Sequence, residues 1–238
     1  RPREVVGFVE RGAPGAVTIP VEYGYGRTLH EAEDVFRLGA PLGVAGAPGA
    51  CVLAADAAAK AKCEAVLTAA RQTSRRIVAV HISARRALQR WPAERFAGFM
   101  SELQRQLGVT FLLLWAPGAE DHPRHPGDDA KAAAIRALLE PHVQCQPWPT
   151  ASLADLSGAL AASDLMVCAD GGAMHVASGL GVPIVALFGD SPVGRWRPWG
   201  VEARILQSST GDVREIAVET VVTSSLELLH PAVAGTGN

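Results

Sequence analysis

Three loops carry residue types suited to holding a diphosphate-bearing ligand. Asp170-Gly171-Gly172-Ala173-Met174-His175 sets a carboxylate, two glycines and an imidazole within one short passage. Two glycines let a ligand approach the backbone closely, and a helix beginning there offers unbonded N–H groups to phosphate oxygens. A carboxylate repels phosphate, so Asp170 is suited instead to accepting hydrogen bonds from sugar hydroxyls. His175, about one turn in, is placed to donate to a phosphate or leaving-group oxygen. The plainer alternative is that Asp170 caps the helix and His175 is a satisfied, partly buried side chain.

The second loop, GDSPVGRWRPWG from Gly189 to Gly200, offers Ser191 as a phosphate contact and Arg195 or Arg197 as neutralising cations. Its alternative is a surface loop in which Trp196 and Trp199 pack for stability. The third loop, Ser83 to Trp91, holds Arg85, Arg86 and Arg90 as a local cationic cluster, or else as a solvated basic loop.

These loops need a scaffold that brings them to one edge. IVAVH (Ile77–His81), TFLLLWA (Thr110–Ala116), DLMVCA (Asp164–Ala169) and PIVALFG (Pro183–Gly189) are short, nearly continuous apolar runs. Such runs suit strands buried on both faces of a parallel sheet. Helical patterns lie between them. Pro92 stands at a first helical position, Phe96, Phe99, Met100, Leu103 and Leu107 form one apolar face, and Gly108 is a natural stop. Ser152-Leu-Ala-Asp155 resembles a capping box opening a helix through Leu160. Strands alternating with helices predict an α/β fold with a Rossmann-like, doubly wound parallel sheet over residues 76–238. In such a sheet ligands bind beyond the carboxyl ends of the strands, where all three loops fall.

Residues 1–75 have a different texture. VVGFVERG (5–12) and AVTIPVEYG (16–24) read as short strands, HEAEDVFRLGAPLG (His30–Gly43) as a helix with a glycine stop, and Ala54–Gln72 as a second helix. The glycines and prolines between Gly39 and Gly49 read as a linker. Two strands and a helix are too little for an independent core, so this part is expected to be an incomplete Rossmann-like remnant of a first domain.

At 238 residues and 48% hydrophobic the chain can bury a sizeable core, while its net charge of −2 advertises no nucleic-acid surface. No uncharged apolar stretch approaches roughly 20 residues, so no spanning helix is expected. Cys51, Cys63, Cys145 and Cys168 show no paired spacing and no histidine at metal-ligand distance, so they read as reduced thiols of a cytoplasmic protein, with no metal site.

Arg90-Trp91-Pro92, the run from Ser152 to Ser191 and the WRPWG that follows resemble glycosyltransferase family 9, over Ile77 to about Leu229. VGFVERG and the His30–Gly43 segment resemble, more weakly, the end of that family's N-terminal domain and its linker. The resemblance implies the GT-B architecture and inverting, metal-independent transfer of heptose from ADP-heptose to the lipopolysaccharide inner core, with no further cofactor. It also implies a cytoplasmic location, peripheral at the inner membrane of a Gram-negative bacterium, with a lipid-linked core acceptor as partner.

Residue by residue, the resemblance assigns Asp170, Gly172 and His175 to the sugar and diphosphate. It makes Ser83 a phosphate-binding hydroxyl and Glu120 a grip on ribose hydroxyls. Arg85 and Ser191 join them as donor contacts. Gly171 stands where Ser or Thr is usual, Gln89 where a phosphate-binding Lys is frequent, and Ala84 where a second hydroxyl occurs. The family's general base resembles an Asp near the start of the N-terminal domain, to which no carboxylate here corresponds. The chain is therefore expected to supply the donor site and to turn over little alone. The competing readings are a non-catalytic nucleotide-sugar-binding module and a transferase or epimerase using another nucleotide sugar.

Overall fold

Two short runs near the N-terminus pair as a parallel ladder, β1 (Val6–Val9) on β2 (Ile19–Glu22), with Val6 opposite Ile19 and Val9 opposite Glu22. The computed structural model describes residues 3–9, 15–24, 29–74, 76–122 and 126–230; positions 10–12 of the VVGFVERG run lie outside these. His30 is the N-cap of α1 (Glu31–Phe36): its Nδ1 accepts from the Ala32 N–H, while Glu33 reaches back to the His30 N–H. The expected single helix through Gly43 instead tightens into a 3₁₀ turn from Arg37 to Leu42. Pro41 lacks the N–H that an α-helix would need there, and Gly43 ends the turn at φ +82°.

The larger body begins with α2 (Ala57–Thr73), capped by Asp56 accepting from the Ala59 N–H. There follow β3 (Ile77–His81), α3 (Ala93–Leu107), β4 (Thr110–Trp115), α4 (Asp129–Leu138) and β5 (Cys145–Pro149). Next come α5 (Leu153–Ala161), β6 (Leu165–Ala169), α6 (Gly172–Gly179) and β7 (Ile184–Phe188). A short α7 (Val193–Trp196), β8 (Ala203–Gln207) and α8 (Val218–Leu229) complete the order. The six strands from β3 onward form one parallel sheet in the order β5-β4-β3-β6-β7-β8, the doubly wound arrangement expected.

The four apolar runs are the four central strands and are almost wholly buried. Successive side chains point to opposite faces. Val78, Val80, Phe111, Leu113, Leu165, Val167, Val185 and Leu187 meet Phe96, Phe99, Met100 and Leu103 of α3 and the apolar face of α8. Gly108 closes α3 at φ +64°, as its position predicts. Ser152 caps α5 by accepting from the Asp155 N–H. The edge strands β5 and β8 are only half-buried, and that is why Pro147, Pro149 and Arg204 are tolerated there.

Two compact units result: Arg1–Ala50 with Pro192–Arg197, and Cys51–Ser191 with Pro198–Asn238. The division falls at Ala50/Cys51, where the sequence pattern suggested 75/76. The reason is that α2 packs on α5: Gly158 leaves room for the backbone of Ala59, which a Cβ would meet at 2.6 Å. Among the described residues no helix is long and apolar enough to cross a membrane, and no group of three or more His, Cys, Asp or Glu is placed to hold a metal ion.

Candidate functional site

The strand order reverses between β3 and β6, and this switch point is where a doubly wound sheet opens a crevice for ligand. The chain leaves β3 into Ser83 and a 3₁₀ turn at Ala87–Gln89, and leaves β6 into Asp170. Gln89 joins them. Its Nε2 donates to Asp170 Oδ2 and to Ser191 Oγ, both at 3.0 Å. Asp170, Gln89 and Ser191 therefore form one hydrogen-bonded set across three loops.

Asp170 does not cap α6. The N-cap is Gly171, which supplies no side-chain bond, and the backbone N–H of Asp170 is taken by Leu187 O at 3.0 Å. Gly171 and Gly172 are exposed, and a Cβ added to either would meet nothing within 4 Å. An uncapped helix start facing open space is what a diphosphate needs. His175 lies half-buried one turn further along α6.

The other residues singled out by sequence occupy more varied positions. Ser83 Oγ accepts from the Ala116 N–H at 2.9 Å, tying the exits of β3 and β4 together. Arg85 is exposed. Of its expected partners in a cationic cluster, Arg86 pairs with Asp190 at 2.5 Å, and Arg90 is held by Asp128 at 2.5 Å and Glu120 at 2.9 Å. Arg90 also donates to Ala84 O, so its charge braces the loop. Glu120 is exposed beyond β4, on the rim formed with Arg90.

Arg195 is the clearest departure from expectation. It is 6% exposed and belongs to the smaller unit, where Asp34 and Glu31 pair with it and the Tyr23 ring lies 4.9 Å away. Burial raises the Asp34 carboxyl, but Arg195, Arg37 and the Gly24 N–H outweigh this and hold it below its ordinary value. Gly24 is required here, because a Cβ would meet Asp34 Oδ1 at 2.7 Å. Arg195 is thus paired with carboxylates of its own unit. The backbone oxygen of Arg197 accepts from His30 Nε2 at 2.7 Å, since the other ring nitrogen is already an acceptor.

Sequence reasoning passed over His81 and Lys131. Lys131 Nζ donates to Ile82 O at 3.0 Å and lies 5.0 Å from the Phe96 ring; burial lowers its pKa to about 8. Burial, then the charge of Lys131, hold His81 down to about 4. His81 sits inside an apolar strand run and Lys131 in an alanine-rich helix, so no local spacing marks either.

A family model described as glycosyltransferase family 9 (heptosyltransferase) matches residues 29–223. Among solved structures, a family 9 glycosyl transferase from Veillonella parvula is similar at a TM-score of 0.78 and 21% identity, covering 91% of this chain and 64% of that one. The E. coli ADP-heptose LPS heptosyltransferase II is similar at 0.64 and 22%, covering 78% and 54%. An E. coli heptosyltransferase with ADP is similar at 0.54 and 17%, covering 66% and 45%. These identities establish a shared fold, and the chain spans between 45% and 64% of the length of these relatives. No curated protein matches the chain.

Proposed function

Because the chain belongs to glycosyltransferase family 9, we propose that its larger unit binds the nucleotide-sugar donor of an inverting heptose transfer, with ADP-heptose as donor and the lipopolysaccharide inner core as acceptor. The observation that carries this reading is the convergence at the β3/β6 switch point of Asp170, the uncapped start of α6, and the Gln89–Ser191 pair. The sugar hydroxyls lie against Asp170, an acceptor only. The diphosphate lies at Gly171 and Gly172, where the helix dipole favours negative charge. His175, Ser83 and Arg85 are placed to donate to its oxygens, and Glu120 to accept from the ribose.

In this reaction the acceptor hydroxyl attacks the anomeric carbon from the side opposite the leaving ADP. Preorganised N–H groups and cations stabilise the charge that develops on that ADP. No carboxylate of this chain is assigned the general base. The 1–75 segment is read as the end of an acceptor-binding domain, so the reading predicts donor binding without robust transfer by these residues alone. The same reading places the protein in the cytoplasm, peripheral to the inner membrane that holds a lipid-linked acceptor.

Calorimetric titration with ADP and ADP-heptose tests the assignment. Asp170→Ala is expected to weaken ADP-heptose roughly tenfold or more, the worth of a hydrogen bond to a charged group. His175→Ala is expected to weaken both ligands. If neither substitution weakens binding, the site is wrongly placed. Tighter binding of a UDP-sugar would reassign the donor, and robust transfer by the chain alone would reverse the statement about the base.

A further inference from the structure

We propose that Gln89 is a positioning residue that sets donor specificity: its amide nitrogen holds the Asp170 carboxylate and the Ser191 hydroxyl side by side, as a fixed acceptor and donor for the sugar. This rests on the donor-site reading above. Gln89 is 6% exposed, and its Nε2 lies 3.0 Å from Asp170 Oδ2 and 3.0 Å from Ser191 Oγ. A carboxylate can only accept, so the nitrogen end of the amide must face Asp170. Both hydrogens on that nitrogen are then used, one per partner. Ser191 accepts one of them, which leaves its own O–H as a donor beside the remaining lone pairs of Asp170.

The surrounding backbone is shaped to seat this clamp. A Cβ on Gly189 would meet Leu88 O at 2.7 Å and Gln89 Cγ at 3.2 Å, so the 87–89 turn can lie there only against glycine. Gln207 Nε2 donates to Gly189 O at 2.6 Å and to Ser191 O at 3.2 Å, fixing the loop from the other side. Gly211, at φ +73°, allows its turn to approach Asp190.

A neutral amide brings no charge to a diphosphate. Gln89 therefore acts on the sugar end through Asp170 and Ser191, and leaves phosphate binding to other groups. A lysine in its place would serve both ends at once. The consequence is a separation that can be measured as a ratio, the affinity for ADP-heptose divided by the affinity for ADP.

The test titrates the full chain with both ligands. The wild type is expected to prefer ADP-heptose. Gln89→Leu, close in size but unable to donate, is expected to cut the ratio roughly tenfold while ADP affinity stays near the wild-type value. Gln89→Lys is expected to keep the ratio, because an ammonium can donate to both partners, and to tighten ADP in a manner that fades with added salt.

An unchanged ratio in Gln89→Leu, or equal weakening of both ligands, overturns the inference and leaves the donor-site reading standing. A wild-type ratio near one also overturns the inference. A wild type that binds neither ligand overturns the donor-site reading, and the inference with it. Should Gln89→Leu fail to fold, Gln89→Glu decides: it sets a like charge against Asp170 and must lower the ratio, and an unchanged ratio is fatal.

Discussion

Arg90 Nη2 lies 2.5 Å from Asp128 Oδ1, and the Asp128 side chain is 1% exposed. The other oxygen of that carboxylate is buried with no hydrogen-bond partner among the described residues. Arg90→Ala therefore strands a buried charge and is expected to cost about 3–5 kcal/mol of unfolding free energy. Glu120→Ala removes the partner on the exposed side and is expected to cost under about 1 kcal/mol. Urea unfolding of both variants distinguishes them, and equal losses would contradict this account.

His81 makes stability depend on pH. The folded ring binds its proton only near pH 4, whereas the unfolded chain binds one near its ordinary 6.5. Between these values the unfolded state holds more protons, so stability falls as pH drops through the window and recovers above it. The full window corresponds to no more than ~3 kcal/mol. Carboxylates add their own acid dependence, so the quantity to measure is the difference between wild type and His81→Gln by denaturant unfolding near pH 4 and near pH 6.5. The variant is expected to lose less stability on acidification; parallel curves would remove His81 from the account.

Gly171 offers a gain-of-function experiment. A side chain there enters open space, and its backbone is extended, so Gly171→Ser is expected to fold as the wild type does. The added hydroxyl supplies a donor at the start of α6. Tightening of ADP by about two- to tenfold is expected, the net worth of one hydrogen bond. Weaker ADP binding would place the diphosphate elsewhere.

Two glycines within helices should respond in opposite directions. At Gly158 a Cβ would lie 2.6 Å from the Ala59 carbonyl carbon and 2.7 Å from the Lys60 nitrogen, which are backbone atoms that cannot yield cheaply. Gly158→Ala is expected to cost about 1–3 kcal/mol. At Gly98 the nearest atom is Val218 Cγ2 at 3.7 Å, an ordinary contact. Gly98→Ala, inside α3, is expected to gain about 0.5–1 kcal/mol. Thermal denaturation of the pair reads both signs at once.

What could be read from sequence divides along the range of the interactions involved. The strands buried on both faces announce themselves as apolar runs, and Gly43 and Gly108 mark turn ends because their positive φ values favour glycine. β5 and β8 went unread because an edge strand needs no continuous hydrophobicity and can hold Pro147 or Arg204. The loops at the strand ends were legible for the same local reason. Their partners were not. Gln89 meets Asp170 across 81 positions, and no spacing rule reaches that far. The ion pairs of the cationic loop are hidden in the same way, because the carboxylates that claim Arg86 and Arg90 come from separate loops.

The buried guanidinium of Arg195 gives the smaller unit a schedule as well as a structure. Asp34 leaves the ribosome 161 residues before the side chain that neutralises it. At about 5–20 residues per second that interval is roughly 8–30 s. During it Asp34 has Arg37 and the Gly24 N–H for company but lacks its main cation, so it must stay wet or bind a proton. The smaller unit is therefore finished late. Severed from residues 192–197, it is expected to remain open however long it waits.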